Sequence, residues 1–388
     1  MKTISRSLSI VAALWLIIIG QNCKRRAGEW KGTITETNGF TIVRNPGEPL
    51  LKGAQIRFTQ DLKIGQSTGK PEYMLSQPRD LYVDAEGNIY ISDLKENNVR
   101  VFDNNGVHQR TIGRPGQGPG EFDGPGFIFV NQAGEILVTN DGNRSIEVFS
   151  REGIYQRQIQ PKVFSIIKFV YATEDVFFIM SYSLTSPGYE LYRYDTKSDK
   201  AASLALWTLN LDMSRVSLFD PIMSFSVMPD GQLVYGCPKD GYEIAIFNPQ
   251  GRLAKKIFRE WTPRPVTDRE KESILAQRRK NLPAQKVPID FPKFHAPYYA
   301  VNTDDDGHII VQAFSEYLDD PGQRSESIFD IFDREGRYLA EIRCSLKGLY
   351  EKPILWKNGK FYTIEQDEEG YLSIVRYAVE GLAQLKID

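Results

Sequence analysis

Apolar and polar residues alternate in short bursts along most of this chain. Leu81-Tyr82-Val83, Ile89-Tyr90-Ile91 and Val99-Arg100-Val101-Phe102 are separated by Asp84-Ala85-Glu86-Gly87 and its neighbours, and Asp103-Asn104-Asn105-Gly106 follows. Runs of that length between turn residues predict successive antiparallel strands. The pattern then recurs. Residues 77–112 align with residues 124–159, and Pro78/Pro125, Val83/Val130, Gly87/Gly134, Ile89/Ile136, Val101/Val148, Phe102/Phe149, Gly106/Gly153 and Ile112/Ile159 each lie 47 positions apart. A period in that range points to propeller blades or a solenoid, and four short strands per unit select the propeller.

Weaker copies occupy residues 166–195, 222–259, 297–342 and 353–379, which makes six. The fifth carries an extra stretch at residues 315–327, between its second and third strands. The sixth lacks a fourth strand, and residues 56–65 supply one. Ile64-Gly65 leads through QSTGKPEY to Pro78 as Ile112-Gly113 leads through GQGPGEF to Pro125. The expected fold is all-β: a six-bladed β-propeller of four-stranded antiparallel blades, its ring closed by an N-terminal strand. Closure removes the exposed sheet edges that invite aggregation. One helix is expected within residues 264–285, where Thr267 and Glu270 have capping-box spacing and Arg278-Arg279-Lys280 suit a helix carboxyl end. The domain plan is a signal peptide at 1–23, a linker at 24–54, and the propeller at 55–388.

The segments DAEGNIYISD, VRVFDNNG, IGRPGQGPGEFDGP and NQAGEILVTNDGNRSIEVFSREG resemble the NHL-repeat family and related six-bladed propellers, most closely over residues 64–160. The resemblance implies the fold. It implies no single activity, because such propellers serve as binding platforms, lyases and lactonases alike.

Composition agrees with a strand-and-turn chain: 12% aromatic residues, 31 Gly and 21 Pro. The net charge of −2 provides no bulk positive field, so a nucleic-acid partner is not expected. At the amino terminus Lys2 and Arg6 precede an apolar run, Leu8 to Ile19, which reads as an export signal. The run ends Gly20-Gln21-Asn22-Cys23. That resembles a lipobox, although Gln21 and Asn22 depart from its small residues, and it makes Cys23 the lipidation candidate. Simple secretion and an uncleaved anchor are the alternatives. The expected location is therefore extracytoplasmic, in the periplasm or cell envelope, with membrane contact through an N-terminal lipid. Cys237 and Cys344 fall in different repeats and are read as buried free thiols; two cysteines build no zinc framework.

GRPGQGPGEF, residues 113–122, has the wrong glycine spacing for a dinucleotide loop and precedes a strand, so it is read as a blade connector. Asn302-Thr303-Asp304-Asp305-Asp306-Gly307 matches half a calcium loop, but Ala313 stands where the bidentate glutamate belongs, so it is read as an acidic hairpin turn. The histidines, His108, His295 and His308, fall at dissimilar places in the repeat and assemble no zinc site. No catalytic residue, metal or cofactor is assigned.

Innermost strands begin at one mouth of the channel. The residues expected to ring it are Asp80, Phe127, Lys168, Ser224, Tyr298 and Lys352, with His295 nearby. One carboxylate among them does not build an acidic calcium cage; aromatics and a few charges suit a polar ligand or a peptide. The functional expectation is a non-catalytic binding or scaffold propeller that engages a protein partner or a small polar ligand on this face. The alternative is a propeller enzyme, a lyase or lactonase, acting at the channel mouth.

Overall fold

The computed structural model describes residues 29–185, 187–208, 216–217, 223–281, 288–313, 327–344, 346 and 353–385. It is a six-bladed propeller. Blade one comprises Pro78–Val83, Ile89–Asp93, Asn98–Phe102 and His108–Ile112, from the innermost strand outward. Blade two comprises Pro125–Val130, Ile136–Asn140, Ser145–Phe149 and Tyr155–Ile159. Blade three has longer strands, Lys168–Thr173, Val176–Tyr182, Gly188–Asp195 and Lys200–Thr208. Blade four runs Ser224–Val227, Leu233–Gly236, Glu243–Phe247 and Leu253–Arg259. Blade five runs Tyr298–Thr303, Ile309–Ala313, Ser327–Phe332 and Tyr338–Cys344. In blade six, Ile354–Lys357, Lys360–Gln366 and Leu372–Glu380 are completed by Arg57–Ile64 from the start of the chain.

That last pairing closes the ring. Arg57–Ile64 lies antiparallel to Leu372–Glu380, from Glu380 opposite Arg57 to Ile374 opposite Ile64. Asp61 fastens it, accepting from Arg376 Nε at 2.7 Å and from Lys360 Nζ at 2.6 Å. Ile64, Tyr362 and Ile374 then pack against Leu81, Ile91 and Phe102 of blade one, so the last blade meets the first through apolar contact.

The core is a set of inter-blade layers. Second and third strands of blades one and two are almost wholly buried because they are covered on both faces, and the polar residues they carry, such as Ser92, Arg100, Thr139 and Glu147, are buried with them. Turn chemistry fixes the hairpins. Asp84 Oδ1 accepts the Asn88 amide at 2.7 Å, and Gly87 takes the positive φ the turn requires. Asn131 with Glu135, Asp304 with His308 and Asp333 with Arg337 repeat this bond in other blades.

Residues 33–45, which the sequence leaves within the linker, are instead two strands, Thr33–Thr37 and Phe40–Asn45. The reason is local. Asn38-Gly39 takes two positive φ values, 47° and 80°, the geometry of a tight hairpin turn, between β-branched residues. Phe40–Asn45 runs parallel to Leu253–Arg259 and extends blade four to a six-stranded sheet. The chain then crosses to blade five, where the Leu50 and Leu51 amides donate to the Tyr338 and Leu339 carbonyls at 3.1 and 2.8 Å. The first described segment thus belts blades four, five and six in turn.

A buried polar cluster pins the belt. Asn45 is 3% exposed; its Oδ1 accepts from the Tyr338 amide at 2.7 Å, and its Nδ2 donates to the Gly336 carbonyl at 2.8 Å. Beside it Arg259 Nη1 meets Asp330 Oδ2 at 3.0 Å, and Arg259 Nη2 donates to the belt carbonyl of Gly47 at 3.1 Å. The hydroxyls of Tyr242 and Tyr338 donate to Asp330 at 2.7 and 2.6 Å.

Between blades four and five lies the helix Asp268–Asn281. Its capping box is formed: the Glu270 amide donates to Thr267 Oγ1 at 3.2 Å, and the Thr267 amide donates to Glu270 Oε2 at 2.7 Å. The insertion at residues 315–327 lies outside the described residues except for Ser327, and Cys23 and the signal segment lie outside them altogether. Cys344 is buried and Cys237 half-buried, both as free thiols.

Candidate functional site

Innermost strands start at one face, second strands end there, and the blade connectors cross it. The residues expected around the channel mouth do not share one role. Asp80, Lys168 and Ser224 stand on the inner wall, and each reaches to the next blade. Asp80 Oδ2 accepts the Ile128 amide of blade two at 2.9 Å. Lys168 Nζ donates to the Phe225 carbonyl of blade four at 2.6 Å, with its ammonium 4.8 Å from the Phe225 ring centre. Ser224 Oγ accepts the Val301 amide of blade five at 3.1 Å. Phe127 occupies the Asp80 position of blade two; its amide donates to Thr139 Oγ1 at 2.8 Å, as the Asp80 amide does to Ser92 Oγ at 3.1 Å.

Tyr298 and His295 sit elsewhere. Tyr298 is 1% exposed within the wall between blades four and five, its ring 5.0 Å from that of Tyr242 and its hydroxyl donating to the Glu243 carbonyl. His295, 2% exposed, lies against the helix with Nε2 3.2 Å from Glu270 Oε1. Lys352 is outside the described residues.

Asp80 and Lys168 feel each other's charge, yet burial dominates both. It pushes the Asp80 carboxyl up to about 6, opposed by the Ile128 amide and by Lys168. It pushes the Lys168 amine down to about 8, opposed by Asp80. A carboxyl whose pKa is higher folded than unfolded favours the native state below about pH 4, and that advantage is lost as pH rises through 6. Asp80→Asn keeps an acceptor for Ile128 and removes the ionised form. We expect it to stabilise the protein by about 1–2 kcal/mol at pH 8, less than the full rise implies because the carboxyl retains some solvent contact. The gain should fade towards pH 4, as urea unfolding at both pH values will show.

The glycine-rich connector encloses its own anion. Gly118 donates its amide to Glu121 Oε2 at 3.0 Å, Arg114 Nε reaches Glu121 Oε1 at 2.9 Å, and Phe122 is fully buried beneath. A side chain at Gly113 would meet the Phe122 ring at 2.3 Å. Among the described residues one trio, Asp304, Asp306 and His308, brings candidate ligand atoms within 4.8 Å of one another. Asp304 is the turn residue there, and its oxygens already accept from the Asp306 amide, the His308 amide and the His308 ring.

The same face gathers apolar side chains that sequence reasoning missed. Met74, Phe164 and Phe294 are exposed on its connectors and Tyr182, Leu184 and Tyr371 at its hairpins, Leu184 at 74%, while Leu206 is exposed on the outermost strand of blade three. The opposite face exposes Val107 and Ile154 at corresponding turns, and Ile34 is exposed on the added hairpin. The signal was present as isolated apolar residues inside turn sequences such as SLTSPG and PKFH.

A family model described as a 6-bladed beta-propeller matches residues 72–205. No curated protein sequence matches the chain. Among solved structures, a member of the duf4221 family from Bacteroides vulgatus is similar at a TM-score of 0.52 and 11% identity, over 85% of this chain and 100% of that one. A protein of Bacteroides fragilis described as exported is similar at 0.51 and 11%, over 87% and 99%. Virginiamycin B lyase from Staphylococcus aureus is similar at 0.44 and 10%, over 84% and 99%. At these identities the likeness concerns architecture: the chain is a six-bladed β-propeller.

Proposed function

We propose that this chain is a binding propeller that engages a protein partner through the face where its innermost strands begin. One observation carries the reading: among the described residues six large apolar side chains are exposed on that face, Tyr182 and Leu184 of them at one hairpin, against two on the opposite face. Apolar surface rimmed by polar residues is what partner sites offer, whereas scattered single exposures are ordinary. The Asp80 and Lys168 charges support it, because groups that cost folding stability tend to mark sites kept for function. In the test, immobilised wild-type protein retains a partner from a cell-envelope extract, and Leu184→Asp/Phe294→Asp loses it. Val107→Asp/Ile154→Asp on the far face keeps it; loss by the far-face variant alone would overturn the assignment.

Export and anchoring belong to the same reading and rest on residues 1–23. Cys23→Ala is expected to move the protein from the detergent phase to the aqueous phase on partitioning, and an unmoved protein refutes acylation.

A second reading, an enzyme at the channel mouth, draws on Asp80 and Lys168 as proton-exchanging groups on either side of neutrality. It requires that lactone or cyclic-ester opening by wild-type protein disappear in Asp80→Asn. Equal rates in the two proteins remove it.

A further inference from the structure

The boundary between blades one and two is closed, and the next one is not. Arg110 crosses from blade one and donates to the Arg151 carbonyl of blade two at 2.5 Å. Forty-seven positions later, Arg157 turns back onto Glu135 of its own blade, with two guanidinium bonds, one of 3.1 Å. Blade three offers little to fill the gap from its outer strand, where Ala201 faces blade two. A cleft of about 870 Å³ results.

Its floor offers apolar surface through half-buried Ile159, Val163 and Tyr171, which pack over the buried Leu137, Phe177 and Tyr194. Most charges on its rim are neutralised, Arg157 by Glu135, Lys162 by Asp199, and Asp175 by Lys197. Among the described residues, two lining charges form no ion pair, Arg144 and Glu174. Arg144 lies on the second hairpin of blade two, at the connector face, with its guanidinium 5.3 Å from the exposed Phe164 ring. Glu174 lies on the first turn of blade three, at the other face. The cleft therefore has a cation at one end, an anion at the other, and an apolar floor between them.

We propose that this cleft binds a short extended peptide, its carboxylate at Arg144, its amine at Glu174 and alternate apolar side chains on the floor. A blade strand of five or six residues is roughly 17–20 Å long, which an extended peptide of about five residues matches. Charge complementarity sets the direction, and the apolar floor supplies contact area. This site meets the partner face only at its Arg144 end, beside Phe164; Leu184 and Phe294 do not line it.

The test titrates the purified full chain with Val-Leu-Ala-Leu-Val carrying free termini, and with the same peptide amidated at its carboxyl end, followed by methyl NMR. Shifts are expected at Leu137 and Val163, with a dissociation constant of about 1 mM or tighter. Amidation should weaken binding about fivefold, the size of one partly exposed charge pair. Arg144→Gln should weaken the free-acid peptide by a similar factor and leave the amide unchanged. Absence of shifts at about 5 mM, shifts confined to the connector face, or equal weakening of both peptides by Arg144→Gln each overturns the proposal.

Discussion

A chain beginning at residue 66 is expected not to fold: it should elute as aggregate on size exclusion and show no cooperative melt by circular dichroism. Removing Arg57–Ile64 strips blade six of its outer strand and leaves the Leu372–Glu380 ladder unpaired. It also bares Trp356 and Phe361, whose rings pack 5.8 and 5.6 Å from that of Phe58, and it strands Arg376 and Lys360 without Asp61. Each buried aromatic is worth about 3–5 kcal/mol, so the loss is comparable to the whole stability of an ordinary domain. A chain beginning at residue 46 keeps the closing strand and forfeits only the hairpin with Asn45. It should fold, with a stability lower by about 5 kcal/mol, from three side-chain bonds of Asn45 at about 1 kcal/mol each and the burial of Val43 at about 2 kcal/mol. A cooperative melt from the residue-66 chain would refute the account of closure.

The second large effect is expected at Arg259. Replacing it with methionine leaves Asp330, fully buried, facing two tyrosine hydroxyls without its cation. Breaking a buried pair on one side costs about 3–5 kcal/mol. Burial already pushes the Asp330 carboxyl up against the opposing pull of Arg259, and loss of Arg259 lets it rise further. A group with a raised native pKa stabilises below its unfolded value and loses that contribution as pH increases. Arg259→Met should accordingly be more damaging at pH 8 than at pH 5 in urea unfolding. Adding Asp330→Asn removes the charge and should recover most of the loss and flatten its pH dependence. If the double variant is as unstable as the single, the penalty comes from lost stacking of the Arg259 guanidinium over the Tyr242 and Tyr338 rings.

The ring could be read from the chain because its signals are local and repeated. Turn glycines such as Gly87 and Gly134 recur at the repeat distance, and the Asp84-type turn marks hairpins in blades one, two, four, five and six. The closing strand was legible because Ile64-Gly65 copies the Ile112-Gly113 exit. The added hairpin was written as plainly, in Asn38-Gly39 between alternating residues, but it lies outside the repeat, so no second copy drew attention to it. The channel wall was harder. Register identifies which residues begin the innermost strands, but not whether a side chain turns to the lumen, to the next blade or into the core. Asp80 is the third residue of its innermost strand and Tyr298 the first of its own, so Tyr298 stands in the register of Pro78, buried between blades, and Ala300 is the counterpart of Asp80. The cleft between blades two and three depends on which way one arginine points, a choice made by Glu135 that periodicity does not encode.

The belt also orders events in time. Residues 57–64 leave the ribosome, or an export channel, among the first, while their partner strand at 372–380 is among the last. More than three hundred positions separate the two, so this pairing has the highest contact order in the ring and should be its slowest step to form. Until it forms, the strand at 57–64 stays unpaired and accessible to chaperones, whatever the intervening blades have already achieved.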